Sequence, residues 1–286
     1  MKTSNKLLIA FGVFIFIAPL LGMVVVSKMY YKDSPKMNMA EIQDANNQPF
    51  QTASRGRKAI ALNKPFSTVN FTNGNNSSVE VHVNKSESYG VKIPEQLAGS
   101  ITTEVVNGVL NINFKKELSL QNFNQRIFIV VYAPNLEKLS ANNFMNLNCV
   151  VQTDSLAVDL TKCFFTLGNS DVDFNHITNT GDTLSHSVSN QTLVKSLKVM
   201  ANNSNINISG INLNSLNVLA NNDSEVNLDG SHFDQGESAI KNLTLETSGK
   251  NQVSIKNFNL SKAKSNFSDS TQLNIPTSIL KLLLKD

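Results

Sequence analysis

Tryptophan is absent from the 286 residues, cysteine occurs twice, and charged side chains make up 16% of the chain. Two cysteines, Cys149 and Cys163, permit one disulfide in an exported domain but do not indicate it. They sit at different positions of the repeat described below and read as small buried thiols. No cysteine precedes Cys149, so no acylated cysteine follows the apolar N-terminus. A net charge of +3, with no Lys/Arg stripe interleaved with aromatics, excludes a nucleic-acid partner. The densest basic cluster, Arg55-Gly56-Arg57-Lys58, lies near Glu41 and Asp44 and reads as part of a solvated tether. Gly-x-Ser-x-Gly, phosphate-cradling glycine loops and zinc spacings are all missing, so no cofactor is expected.

Polarity comes instead from Asn, Ser and Thr, and Asn alone occurs 40 times. These side chains favour turns and stacked ladders over long helices. From Met145 to Ile275 an apolar, small polar, apolar phrase recurs: Met145-Asn146-Leu147, Phe165-Thr166-Leu167, His186-Ser187-Val188, Ile206-Asn207-Ile208, Val226-Asn227-Leu228, Val253-Ser254-Ile255 and Leu273-Asn274-Ile275. A spacing of about 20 residues marks a unit that cannot bury its own apolar face and must stack on copies of itself. The expected architecture is an all-β solenoid. Met145, Phe165, Ile206, Val226, Val253 and Leu273 would form one interior column, with an uncharged outward stripe beside it. Ala141-Asn142-Asn143, Ala201-Asn202-Asn203 and Ala220-Asn221-Asn222 fall at corners, where Asn tolerates left-handed backbone. The longer step after Val226 accommodates a loop near His232–Glu237, and Ile279–Leu284 supplies an apolar cap.

Leu7–Val26 carries no charge and is flanked by Lys2, Lys6, Lys28 and Lys32. Twenty apolar residues match a bilayer core of about 30 Å, and no A-x-A site follows. The organisation expected is a cytoplasmic segment over 1–6, an uncleaved transmembrane signal-anchor over 7–27, a flexible linker over 28–58, and a β-solenoid over 59–286 in the periplasm. Release after signal cleavage is the alternative.

Before the repeats, Val79–Val83, Leu110–Phe114 and Ile127–Tyr132 read as strands, with turns at Asn73-Gly74 and Asn107-Gly108. This series, followed by Tyr132-Ala133-Pro134-Asn135-Leu136 and polar coils, resembles the bacterial GIN domain family of auto-transporter adhesin heads. The resemblance covers roughly Ala59–Asp286. It implies a right-handed, single-stranded β-helix-like fold in an exported protein, and it assigns no catalytic residue. Asn stands at the corners where members often carry Gly and Asp.

Chemistry-bearing clusters are few. Asp171 and Asp173, two apart with His176 close by, match a pattern that binds calcium or performs acid–base work in β-helix carbohydrate enzymes, but they follow Gly168-Asn169-Ser170 with no Arg or Lys near and read as solvated turn carboxylates. His186 replaces an apolar member of the repeat, and His232 lies in the inserted loop. None of the histidines has a second ligand at metal-binding spacing. The reading is a non-enzymatic, membrane-anchored binding or scaffolding module with a glycan or protein ligand. A carbohydrate-active or carbohydrate-binding β-helix protein is the alternative.

Overall fold

In the computed structural model, backbone is described for 3–30, 46–74, 77–115, 126–177, 183–232 and 236–284, and side chains within these except over 3–10, 26–30, 171–189, 232 and 236–237. Contacts divide the chain into Met1–Met39 and Ala40–Asp286.

The first unit contains helix α1 (Thr3–Tyr30), with Pro19 in its interior. Among the described residues no helix is long and apolar enough to cross a membrane. The transmembrane signal-anchor expected over 7–27, the membrane contact through it and the single-pass placement are corrected accordingly.

The second unit is two mixed β-sheets, each of ten strands, whose inward residues share one hydrophobic core. Strands pair across rungs, each rung contributing one strand to sheet I and one to sheet II. In spatial order, rung 1 is Ile127–Ala133 (sheet I) with Val109–Phe114 (sheet II), and rung 2 is Ser78–Lys85 with Thr68–Thr72. Rung 3 is Asn146–Val151 with Lys138–Asn142, and rung 4 is Phe164–Leu167 with Ser155–Thr161. Rungs 5 to 8 continue with Asn205–Ser209 and Ser196–Asn202, Ser224–Asp229 and Leu213–Asn221, Asn251–Lys256 and Gly236–Ser248, then Thr271–Asn274 and Phe258–Asn266.

This arrangement overturns the single-stranded solenoid. Ser78–Lys85 pairs with Ile127–Ala133 on one side and Asn146–Val151 on the other, while Thr68–Thr72 lies between Val109–Phe114 and Lys138–Asn142. The earliest rung in sequence is therefore second in space, and the chain does not wind as one continuous coil. Antiparallel strands extend that end: Arg57–Ala61 on Gly90–Pro94, Gly90–Pro94 on Ile127–Ala133, and Ile101–Val106 on Val109–Phe114. The last pair turns through Asn107 and Gly108, both at positive φ, the requirement of a two-residue primed hairpin.

Two register expectations change as well. Leu147, not Met145, pairs with Phe165, and Cys149 pairs with Leu167, so Met145 is 47% exposed while Leu147 and Cys149 are buried. His186-Ser187-Val188 is not a coil: it belongs to Thr183–Asn190, which folds back on Ser170–Ile177 as a separate hairpin. Phe165 then pairs directly with Ile206. From there the expected register holds through Val226, Val253 and Leu273. Leu273 is 41% exposed in the last sheet I rung.

The corners explain the Asn content. Asn143, Asn203 and Asn222, the final residues of the three Ala-Asn-Asn tripeptides, have φ of 62°, 51° and 52°. Just inside them runs a buried ladder. Cys163 N–H donates to Ser204 Oγ, Ser204 N–H to Ser224 Oγ, and Ser224 N–H to Asn251 Oδ1, at 3.0–3.1 Å. Each rung thus satisfies a buried backbone donor of the preceding one. Helix α2 (Thr277–Leu283) buries Ile279 and Leu283, and Ser265 Oγ donates to Leu283 O at 3.0 Å, giving the C-terminal apolar cap. Cys149 and Cys163 are free and buried, and burial pushes both thiols up from their ordinary range.

Candidate functional site

Three places stand out in the second unit. The outer face of sheet I is the first. Strand alternation sends every second side chain outward, and parallel pairing aligns Asn148, Thr166, Asn207, Asn227, Ser254 and Asn274 in one column. Six strands at about 4.8 Å spacing make that column about 24 Å long. Beside it run Asn205, Glu225, Gln252 and Gln272. Gln252 Nε2 donates to Gln272 Oε1 at 3.0 Å and Asn227 Nδ2 to Glu225 Oε1 at 2.9 Å. A shallow depression of about 300 Å³ lies over rungs 6 to 8, between Asn227 and Asn274.

The second place lies on the same face over rungs 1 and 2, where polar side chains are covered. Residues 46–57, read from sequence as tether, pack onto the sheet. Lys92 is 1% exposed, and its ammonium donates to Pro49 O, Thr52 O and Ser54 Oγ at 2.9, 2.8 and 3.1 Å. Tyr132 Oη donates to Gln48 O at 2.8 Å. The Phe50 ring stands edge-on to Tyr132 and presses on Gly90, where any Cβ would collide with it. Glu80 accepts from Arg126 at 2.9 Å and contacts His82 Nε2 at 2.7 Å. Asn46 lies 3.0 Å from the same ring nitrogen and accepts from Arg57. Burial opposes ionisation of Glu80, but His82 and Arg126 outweigh it and hold the carboxyl below its usual range. Burial pushes Tyr132 up to about 12 and draws Arg57 down to about 10. The result is a latch of charge-assisted bonds that read mainly backbone carbonyls of the covering strap.

The third place is a groove of about 470 Å³ at the turns, bordered by Asp154, Asn169, Gln191–Lys195 and Gly210–Asn212. It opens where the chain leaves rung 4 for the hairpin and returns to rung 5.

The sequence candidates fare differently. Backbone pairing sets Asp171 opposite Ser189, Asp173 opposite Ser187, and His176 opposite Leu184, with His186 opposite Phe174. His232 pairs with Gly236, making the inserted segment a small antiparallel excursion. The side chains of all five, Asp171, Asp173, His176, His186 and His232, lie outside the described residues. Among the described residues no group of three His, Cys, Asp or Glu is placed to hold a metal ion. Glu80, His82, Lys92 and Tyr132 escaped the sequence reading because charged residues alternating with valine look the same whether water or a strap covers them.

The fold is a two-sheet β ladder with a polar outer face and a turn-side groove. The chain belongs to the family described as "Putative auto-transporter adhesin, head GIN domain", whose model matches residues 65–278. No curated protein matches. Solved structures similar to it include a "putative lipid binding protein" from Parabacteroides distasonis, at 14% identity and a TM-score of 0.43, over 77% of this chain and 81% of that one. A "putative adhesin" from Bacteroides fragilis is 11% identical with a TM-score of 0.43, over 77% of this chain and 92% of the other.

Proposed function

We propose that this protein is an exported, non-enzymatic binding module whose outer sheet I face holds an extended ligand, a glycan chain or a protein segment, along rungs 3 to 8. The observation that carries this reading is the aligned column from Asn148 to Asn274. Amides and hydroxyls repeated at strand spacing offer donors and acceptors at regular intervals without a net charge to select for ions. Extended ladders bind through such continuous surfaces. Membership of an adhesin-head family supports export and binding.

The test is surface binding by the full-length protein, comparing the natural chain with an Asn207→Lys/Asn227→Lys variant on immobilised glycans and cell-surface proteins. Both side chains are half-buried on the outer face, so the variant keeps the core while placing two charges on the face. Binding lost in the variant supports the reading, and binding equal in both refutes it. Reproducible cleavage of any glycan in the panel would overturn the non-enzymatic part.

A further inference from the structure

We infer that the turn-side groove between rungs 3, 5 and 6 is a pocket for a neutral saccharide, separate from the outer face. Its walls are fixed before any ligand arrives. Asn169 Oδ1 accepts from Thr192 N–H at 2.9 Å and Asn169 Nδ2 donates to Gly210 O at 3.3 Å, tying the returning segment to the next turn. Thr192 Oγ1 donates to Gly168 O. The backbone of Leu193 is clamped to rung 3, with its N–H on Val151 O at 2.8 Å and its carbonyl accepting from Thr153 N–H at 3.0 Å. Yet the Leu193 side chain is 58% exposed and lines the groove. Leu193 thus offers one apolar surface, on a backbone held at both its N–H and its carbonyl, among polar groups.

The chemistry around it selects the ligand class. Asp154 and Lys195 pair at 2.6 Å on the rim, so the groove offers an acceptor and a donor side by side and little net charge. That arrangement disfavours a phosphate, for which a lone cation or an Arg fork is the usual device. Gln191 adds an exposed amide able to donate and to accept, and Asn212, whose Oδ1 accepts from Ala239 N–H at 2.8 Å, adds an amide donor. Val194 and Ile211 are buried, which leaves Leu193 as the only large apolar side chain open to the groove among its lining residues, too little for an acyl chain. A sugar ring presents what is missing: a C–H face to lie on Leu193, and hydroxyls that donate and accept at once. A volume of about 470 Å³ lies within the range of small-ligand pockets, about 300–1,000 Å³. With no aromatic platform among the lining residues, the affinity expected is weak, about millimolar.

Saturation-transfer NMR on the full-length protein tests this. The probes are the methyl glycosides of glucose, galactose, mannose and N-acetylglucosamine, with inorganic phosphate as the competing anion. Transfer to ring C–H protons of at least one glycoside is expected. A Leu193→Ser/Gln191→Ala variant should weaken it about tenfold, the equivalent of about 1.4 kcal/mol, at an unchanged melting temperature. Both substituted residues are exposed, and a single Gln191→Ala variant gives a second reading should the pair alter folding. The Asn207→Lys/Asn227→Lys protein should bind the glycoside normally, so failure here is distinguishable from failure of the outer-face reading. No transfer from any of the four glycosides, displacement by phosphate, or full affinity in the groove variants would each overturn the assignment.

Discussion

Asp229, at the end of the rung 6 strand in sheet I, tests whether corner hydrogen bonds stabilise the ladder. Its Oδ1 accepts from Ser231 N–H at 3.1 Å, Ser231 Oγ at 2.8 Å and Asn257 Nδ2 at 3.2 Å, while Oδ2 pairs with Lys256 at 3.0 Å. Partial burial opposes the charge, but Lys256, Ser231 and Asn257 outweigh it and bring the pKa down to about 2 from 3.8. At about 1.4 kcal/mol per pH unit this corresponds to a ceiling of about 2.5 kcal/mol. Lys256 is 62% exposed, so its share is small and most of the effect belongs to the three hydrogen bonds. Asp229→Asn keeps the shape and removes the charge, and should lower stability by about 1–2 kcal/mol at neutral pH. The sign of the pH dependence follows from the depressed folded value: the contribution is complete above the unfolded pKa and disappears as pH falls through the folded one. Urea denaturation of both proteins should therefore show a gap at pH 7 that closes between about pH 4 and pH 2. A gap of the same size across that range would refute the reasoning.

Other outcomes follow from the same structure. Phe165→Ala, at a fully buried position between Leu147 and Ile206, should cost about 3–5 kcal/mol in denaturant unfolding. Ser224→Ala removes the acceptor for Ser204 N–H inside a buried corner and should cost about 1–3 kcal/mol. A protein beginning at Asn46 should unfold at higher urea than one beginning at Ala59, by about 3 kcal/mol for the three Lys92 bonds; equal midpoints would show that the strap contributes nothing. Glu80 is also held below its ordinary range, so its support of the strap is present above that range and lost in acid. Limited proteolysis within 46–57 should accelerate as pH drops below about 4, and in Glu80→Gln already at neutral pH.

The repeat made the later rungs legible because a 20-residue period and a strand ladder impose the same spacing: Ile206, Val226 and Val253 stack as their phrases align. It failed where a local pattern cannot report what lies beside it. Leu147-Asn148-Cys149 fits the phrase as well as Met145-Asn146-Leu147, and only pairing with Val79 and Phe165 decides between them. His186-Ser187-Val188 kept the spacing while its neighbours folded into a hairpin. The order of rungs 1 and 2 depends on contacts spanning scores of residues, for which alternation carries no information. The outward polar column was readable from Thr166 to Asn274, whereas its first member is Asn148 and not Asn146, the middle residue of the phrase. The strap and the turn-side groove were not, since both arise from segments without periodicity.

The placement of the first-made rung between two later ones also sets where such a chain can grow. From Ser155 onward each sheet I rung pairs only with the preceding rung and the next, so a duplicated unit of one rung would slot in and extend the ladder by about 4.8 Å without rerouting anything. A duplication before Pro134 would instead have to pass a strand already enclosed on both sides. Lengthening of this architecture by gene duplication is therefore confined to its C-terminal half, and relatives of different length should differ there in the number of rungs while keeping the same interlocked start.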